Sequence, residues 1–514
     1  MYARTNAVAV VGVTGHVVTV EAHVGRGLPS LHLTGLPGVA VQDARERVRP
    51  AVESSGLEWP LRRVIVNLSP ADLRKDGPGF DLPIAVSVLA ATAQVPAEAL
   101  ERYALAGELS LRGALLPTPA VLAASMAAAK SRLAGVVVPE SNAAEAALVD
   151  DVEVIGAPSL AKVVEFFKGT WRPDVLSPSP RPPPRSASID FAEVRGQAEA
   201  RRALEIAAAG GHNVLLAGPP GAGKTMLARR LPTILPELSR DEALEVTRLH
   251  SVAGVLSAGE GLVQTRPFRA PHHTVSSAGL LGGGGSRGPI RPGEVSLAHH
   301  GVLFLDEVTE FKRDALEGLR QPLEDGRVIV VRQAGAVEYP CRCTLVAAAN
   351  PCPCGYDGDT RRRCSCLPNR VELYRQRLSG PLLDRIDIRL RVPRLSKAEL
   401  LGSESAESSE RIRDRVEHAR ARQRRRFRGT AIRCNAHMPG SVARREAALT
   451  AAAEAALAHA VDRYALTGRG FDRVLKVART IADLAGQENV DAVHLLEALT
   501  FRERARPAED LGVA

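Results

Sequence analysis

Aromatic residues are scarce in this chain, 4% of 514 positions, with only two tryptophans. Its cores must therefore be built mainly from Ala, Val and Leu. Long apolar runs are missing as well. The most apolar stretches are short or broken by Pro and Gly, so no membrane-spanning helix is expected. The opening residues, MYARTNAVAVVGVTGHVVTVEAHVG, lack a charged start, a long apolar stretch and a small-residue cleavage site. No signal peptide is read there, and a cytoplasmic chain is expected. Disulfides are rare in that compartment, so the clustered members of the seven cysteines point to metal or redox roles. No internal repeat is found. What remains is an ordinary globular balance of 45% apolar and 24% charged residues, with a formal net charge of +9. That excess permits a polyanion partner such as nucleic acid without demanding one.

The chain reads in three parts. From 1 to 172, β-rich runs (VVTVEAHV, LRRVIVNL, AGVVVP) alternate with Ala-rich helical runs (DLPIAVSVLAATAQ, PAVLAASMAAAKSRLA), which indicates an α/β domain. SPSPRPPPR, 177 to 185, has no apolar anchor and reads as a stiff linker within 173–190. From 191 to 394, NVLLAG, GVLFLDE, RVIVV and CTLVAAAN are strand candidates in a second α/β domain. From 395 to 514 the text is helical throughout.

NVLLAGPPGAGKTMLARRL, 213 to 231, is a buried strand, a glycine loop and a helix. Its loop fills every fixed position of G-x-x-x-x-G-K-[ST]. Gly218, Pro219, Pro220, Gly221, Ala222, Gly223, Lys224, Thr225 and Met226 are the expected nucleotide-binding residues. Glycines let main-chain N–H groups curl around phosphates, and a helix N-terminus favours negative charge. Lys224 brings a point charge to the outer phosphates, and Thr225 is placed to ligate Mg²⁺. In GVLFLDE, four apolar residues end in Asp306, for the Mg²⁺ shell, and Glu307, for the attacking water. TLVAAAN ends in Asn350, expected at the ligand crevice of a parallel sheet as a sensor that positions the lytic water or reads the γ-phosphate. SGPLLDRIDIRL offers Arg385 as an arginine finger, supplied in trans by a neighbouring subunit. Arg469 and Arg473, at i and i+4 of a later helix, are candidates for a second sensor that reaches back to the nucleotide.

Four cysteines, Cys352, Cys354, Cys364 and Cys366, fall within fifteen residues directly after Asn350. A disulfide clip is disfavoured by compartment, and a redox pair leaves two thiols unexplained. Four soft ligands fit a closed structural Zn²⁺ site. Cys341 and Cys343 read as packing residues, and Cys434 as a lone thiol. The run RIRDRVEHARARQRRRFR, 411 to 428, is either a solvated helix face or a contact for an anionic surface.

The P-loop, acidic pair, sensor Asn, Asp-Arg turn and helical end, in this order, resemble AAA+ ATPases. TRPFRAPHHTVSSAGLLGGGGSRGPIRPGEVSLAHHGVLFLDEV, 265 to 308, is similar to the magnesium-chelatase-like AAA+ proteins, and within them to the ComM/YifB group. GLPSLHLTGLPGVAVQDARERVRPAV, VNLSPADLRKDGPGFDLPIAV, PLLDRIDI and RVLKVARTIADL extend the likeness over almost the whole chain. The resemblance implies a parallel-sheet AAA+ core with an all-α lid. It implies a hexameric ring driven by ATP and Mg²⁺ along DNA, as a helicase promoting branch migration in natural transformation. The rivals are a chelatase motor for metal insertion into porphyrin and a chaperone-like regulatory ATPase acting on protein. Against the chelatase stands the front domain, expected to be absent from chelatase motors.

That front domain resembles the Lon-protease-like fold, related to ribosomal protein S5 domain 2. The serine loop of such proteases reads DGPGFD here, with Gly79 at the serine position, and Leu122 stands about where the lysine belongs. Without nucleophile and base, no Ser–Lys catalysis is expected. LLGGGGSRGP, 280 to 289, is expected as a mobile DNA-touching pore loop, and RVIVVRQAGAVEYP as a hairpin whose Arg332 or Gln333 touches phosphates. His272 and His273 are left as structural or channel-lining.

Overall fold

The computed structural model describes residues 1–174, 189–257, 259–284, 290–332, 335–359, 361–397, 399, 407–464 and 466–503. The expected linker at 177–185 and Gln333 lie outside the described residues. Among the described residues no helix is long and apolar enough to cross a membrane.

The front part is a sheet built from period-2 strands. In β1 (Tyr2–Val11), Ala3, Thr5, Ala7 and Ala9 are buried and the residues between them are not, so one face meets the core. The strands that follow are β2 (Thr14–Gly25), β3 (Ser30–Thr34), β4 (Arg63–Ser69), β5 (Tyr103–Leu105), the small ribbon β6 (Glu108–Leu109) and β7 (Leu115–Leu116), β8 (Gly135–Pro139) and β9 (Glu153–Ala157). Seven of them form one mixed sheet in the order β3-β4-β2-β1-β5-β8-β9. The helix Asp81–Ala91 is buried along its whole length, as its sequence DLPIAVSVLAA dictates. Its buried Asp81 is held by Arg47 at 2.7 and 2.9 Å and accepts the Leu109 N–H at 3.2 Å. Gly79 precedes that helix, and Leu122 is completely buried.

The second part holds β10 (Val214–Ala217), β11 (Phe268–Arg269), β12 (Gly282–Gly283), β13 (Arg291–Pro292), β14 (Val302–Leu305), β15 (Arg327–Arg332), β16 (Gly335–Pro340), β17 (Thr344–Ala349) and β18 (Ile388–Arg391). Five of these make an all-parallel sheet, β11-β14-β17-β10-β18. β14 and β17 are buried at every residue, which explains why they read as continuous apolar runs without alternation. RVIVV departs from that pattern. It belongs to the separate β15–β16 hairpin and alternates buried and exposed. Of the expected loop at 280–289, residues 285–289 lie outside the described residues. Gly282 and Gly283 pair with Pro292 and Arg291 in the ribbon β12–β13, which lies against β15 near Arg332. Backbone pairing orders glycines that no side-chain packing would order.

Helices Ala198–Gly210 and Lys224–Ile234 share one core with the C-terminal helices Ser409–Arg426, Gly468–Leu484 and Ala492–Glu503. The arginines of Ser409–Arg426 divide by role. Arg415 binds Glu205 and Glu407, Arg420 donates to the Ala208 carbonyl, and Arg426 pairs with buried Asp483, so these pin the helix. Arg411, Arg424, Arg425 and Arg428 are exposed.

The front sheet is docked on the second part. Val11 and Val13, at the β1–β2 turn, pack onto the cluster that contains Val337 and Tyr339 of the hairpin. Helix Val121–Lys130 meets helix Arg240–Ala253, where the Ala120 N–H donates to the Ser251 carbonyl at 3.3 Å. The Ser251 hydroxyl donates to buried Glu145, which also accepts the Leu122 N–H at 2.8 Å.

Candidate active site

The parallel sheet has two ends, and they carry different chemistry. At the C-terminal ends of β10, β14 and β17 the sequence motifs converge. The loop after β10 needs glycine where the backbone runs closest: a Cβ on Gly218 would stand 2.2 Å from the Val392 carbonyl oxygen. Gly221 and Gly223 have φ of +77° and +90°, the left-handed region that lets the loop curl toward the helix Lys224–Ile234. The Lys224 ammonium donates to the Gly218 carbonyl at 2.6 Å, the Pro219 carbonyl at 3.1 Å and Asn350 Oδ1 at 3.0 Å. Burial lowers its pKa, while Asp306 and Glu307 support its charge. The Thr225 hydroxyl donates to Asp306 Oδ2 at 2.7 Å. Glu307 follows at φ +48° with a half-exposed side chain, and His273 Nδ1 lies 3.9 Å from its carboxylate. Lys224, Thr225, Asp306, Glu307 and Asn350 thus meet at one edge. The donor set suits a nucleotide's phosphates with Mg²⁺: a cation and main-chain N–H groups for the phosphates, a hydroxyl and a carboxylate for the metal.

Gln197 was not singled out from the sequence. Its amide donates to the carbonyls of Ala222, at 3.3 Å, and Pro393, at 2.8 Å, so it ties the phosphate loop to the segment after β18. With Ala198, Arg391, Pro393, Arg394 and Leu395 it lines a cavity of about 460 Å³ beside the loop. The only sequence signal was a polar residue opening an apolar-periodic helix, which is too common to mark a site.

The arginines lie at the other edge. Asn213, just before β10, accepts the main-chain N–H groups of Asp387 and Ile388, which places 385–388 at the N-terminal ends of β10 and β18. Arg385 pairs with Glu324 there, and donates to the Pro381 carbonyl at 3.0 Å. Arg473 Nε lies 3.3 Å from Asp387 Oδ1. Four residues of β10, about 13 Å at ~3.3 Å per residue, separate this edge from the phosphate loop. Of the two second-sensor candidates, Arg473 lies at the edge away from its own chain's phosphate loop, and Arg469 is exposed at the start of the same helix. Burial lowers the pKa of Arg473, which Asp387 and Asp384 support and Arg385 and Arg469 oppose. Arg502, close to Arg389 and Arg473, is pushed down to about 10, chiefly by burial. Arg473 Nη1, Arg502 Nη1 and Arg385 Nε are buried without a hydrogen-bond partner. Among the described residues, Arg385, Arg389, Arg473 and Arg502 outnumber the carboxylates of Asp384, Asp387 and Glu324 here.

The cysteines after Asn350 close into a tight group. Cys352 Sγ lies 3.3 Å from Cys354 Sγ and 3.6 Å from Cys364 Sγ, and Cys354 lies 3.6 Å from Cys364. All four ligand atoms, with Cys366, fall within 4.8 Å of one another. A tetrahedral zinc with bonds of ~2.3 Å spaces its sulfurs about 3.8 Å apart, so the group fits that ion. Backbone N–H groups of Ser365 and Tyr356 hold the Cys354 thiol down, toward the thiolate that binds metal. The excursion abuts the phosphate loop, since a Cβ on Gly355 would stand 2.5 Å from Pro220 Cδ. Arg391 donates to the Gly358 carbonyl at 2.8 Å and Arg394 pairs with Asp359 at 2.8 Å, which joins it to the cavity wall. Cys341 is buried and precedes β17 with Cys343, whose thiol burial pushes up to about 12. Cys434 is buried in the helical part.

Among the described residues one other group clusters like metal ligands: Glu245, His299 and His300. The Arg342 N–H donates to His299 Nδ1 at 3.0 Å, so the ring proton sits on Nε2 and donates to Glu245 at 3.0 Å. That tautomer leaves no lone pair for a metal at Nε2, and the Arg433 guanidinium lies 3.6 Å from Glu245. The group works instead as a polar latch between the strand end and the helical part.

Sheet order, phosphate loop and helical lid together define an AAA+ ATPase fold. Family profiles described as "Magnesium chelatase, subunit ChlI", "Subunit ChlI of Mg-chelatase" and "Magnesium chelatase, subunit ChlI C-terminal" match residues 190–400, 20–142 and 406–502. The chain is 41% identical over 500 residues to the uncharacterized protein YifB of Escherichia coli, covering 96% of each. It is 40% identical over 508 residues to the competence protein ComM of Haemophilus influenzae, covering 98% of each. A Lon protease of Geobacter metallireducens is 28% identical over 194 residues, 36% of this chain and 22% of that protein. The chain belongs to the magnesium-chelatase-like ComM/YifB family of ATPases.

Proposed function

We propose that this chain is an ATP-hydrolysing ring motor on DNA, a helicase that promotes branch migration of recombination intermediates during natural transformation. The observation that carries the ring is the division of the ATP site. Lys224, Thr225, Asp306, Glu307 and Asn350 stand at one edge of the sheet, while Arg385 and Arg473 stand at the other with unpaired donors. One chain cannot join the two edges, but a neighbour in a ring can, with Arg385 as finger and Arg473 as second sensor. In that arrangement Lys224 holds the outer phosphates, Thr225 and Asp306 hold Mg²⁺, Glu307 orients water, and Asn350 reads the γ-phosphate. Six subunits are proposed.

DNA as the track is supported by the word competence in a relative's name and by two adjacent ribbons, β12–β13 and β15–β16, carrying Arg291, Arg327 and Arg332. Contacts from such ribbons would go to phosphates and be weakened by salt. The Cys352, Cys354, Cys364 and Cys366 group is proposed to hold Zn²⁺, bracing the loop that carries Asn350 against Pro220. The front domain, lacking the Ser–Lys pair, serves as scaffold.

The second reading is a chelatase motor. The profile at 20–142 carries a chelatase-subunit description, so the front domain does not separate the two readings. The deciding experiment measures ATP turnover and strand exchange on forked and four-way DNA with Mg²⁺. Stimulation and branch migration are expected. Indifference to every DNA substrate would sink the DNA reading and leave the ring intact.

A further inference from the structure

The dipeptide just before β10 connects the Arg385 turn, β17 and the helix Gly468–Leu484. Asn213 Nδ2 donates to the Arg385 carbonyl at 2.9 Å, and Asn213 Oδ1 accepts the Leu345 N–H at 2.8 Å. It thereby ties the finger turn to β17, the strand that ends at Asn350. His212 is completely buried. Its Nδ1 lies 3.2 Å from Asp387 Oδ2, whose other oxygen holds Arg473. Its Nε2 lies 2.8 Å from Thr480 Oγ1 on the helix Gly468–Leu484, which bears Arg469 and Arg473. The chain makes room for this contact: a Cβ on Gly210 would stand 2.1 Å from His212 Nε2 and 2.6 Å from Thr480 Oγ1. The network runs on through Asn435, which donates to Thr480 at 3.0 Å and to Asp483 at 2.8 Å.

We propose that His212 and Asn213 are positioning residues that relay the state of a subunit's own phosphate loop to the arginines it offers its neighbour. β10 is the link. One end continues into the loop that holds nucleotide, and the other end is this dipeptide. The strand is four buried or half-buried residues hydrogen-bonded on both sides, so it transmits displacement instead of absorbing it. His212 acts through the Asp387 carboxylate on Arg473, and Asn213 acts through the Arg385 carbonyl. Neither touches nucleotide. The inference rests on the ring reading above.

The test uses the full chain with His212→Phe, which keeps a ring and removes both nitrogens, and His212→Asn, which retains a donor at the Nδ1 position. ATP affinity of His212→Phe, read with a fluorescent ATP analogue, should stay within about 2-fold of wild type. Its kcat should fall about 10- to 100-fold, the usual cost of losing a group that orients a functional partner. His212→Asn should recover part of the loss. Mixing His212→Phe with Glu307→Gln, which keeps nucleotide on its own loop and loses the group that orients water, should restore turnover above either parent. Random mixing places an intact Glu307 beside intact, loop-signalled arginines at about a quarter of sites. A chain that is merely unstable gives no such rescue.

The control mixes Arg385→Ala with Glu307→Gln. If the control recovers and the His212→Phe mixture does not, the relay is wrong and the ring stands. If neither recovers, the ring reading itself fails. Unchanged kcat in His212→Phe also overturns the relay. Should His212→Phe fail to fold, Asn213→Asp carries the same test, since it keeps the acceptor for Leu345 and loses the donor to Arg385. Its kcat must fall and its mixture must recover.

Discussion

The two ends of the five-stranded sheet are built on opposite electrostatic plans. At the C-terminal end charges are matched within the chain. Lys224 is surrounded by three oxygens, and Thr225 closes onto Asp306. At the N-terminal end, Arg385, Arg389, Arg473 and Arg502 gather around Asp384 and Asp387, and several guanidinium nitrogens are buried without partners. Arg385 and Arg473 each keep one carboxylate partner, yet single guanidinium nitrogens stay buried and unbonded among the described residues, which is costly and leaves donor capacity unused. On the proposed ring reading, that spare capacity is what a neighbour's phosphate would take up.

The comparison breaks most visibly at Arg385. Arg385→Ala should cut ATP turnover by about 10³-fold, the low end for loss of an arginine finger, while leaving nucleotide affinity intact. If affinity falls instead, Arg385 serves its own chain's nucleotide and the two-edge picture is wrong. Next in size is Gly218→Ala, whose Cβ would collide with the Val392 carbonyl. It should weaken ATP binding, and turnover with it, by roughly 100-fold, about 3 kcal/mol, as expected for a misplaced phosphate cradle. Equilibrium titration with an ATP analogue checks it. Stripping zinc, or Cys352→Ser with Cys364→Ser, should leave every catalytic group in place and raise KM about 10-fold, through lost bracing at Pro220. Metal analysis and steady-state kinetics read both effects, and a metal-free wild type with unchanged KM counts against the brace.

The smallest effect on turnover is expected at His299. Burial pushes its pKa down to about 4 against an ordinary 6.5, with Glu245 opposing the fall and His300 and Arg342 adding to it. The unfolded chain then binds more protons between those values, so this residue's contribution is fully present above pH 6.5 and is lost as pH falls toward 4. His299→Gln, able to accept from Arg342 or donate to Glu245, should flatten that loss by up to about 3 kcal/mol at pH 4. Urea midpoints measured against pH decide it, and turnover at neutral pH should be unchanged.

Much of the first half-site was legible from short runs of text. VLLA and VLFL are apolar at every position, and TLVAAA at all but its opening Thr344, because helices cover both faces; each runs into the residues that meet at the crevice. Arg385 and Arg473 were recognisable as candidates, but the edge they occupy was not. That depends on how β18 returns beside β10 and where the helical part settles, which no local spacing encodes. The arginines of Ser409–Arg426 looked alike in the text, yet Arg415, Arg420 and Arg426 are tied down and Arg424 and Arg425 are not. Their carboxylate and carbonyl partners lie on distant helices. Gln197 and the Glu145–Ser251 contact were invisible for the same reason, being pairs of ordinary residues joined only by folding.

The β1–β2 turn of the front domain lies against the middle of the β15–β16 hairpin, where a Cβ on Gly12 would stand 2.9 Å from Val337 Cγ1. Any ribbon that pushes on a polymer receives an equal recoil. A lone hairpin would spend that recoil by bending at its root. Here a seven-stranded sheet backs the hairpin. On the proposed motor reading, the Lon-like front sheet would serve as the anvil that turns that recoil outward.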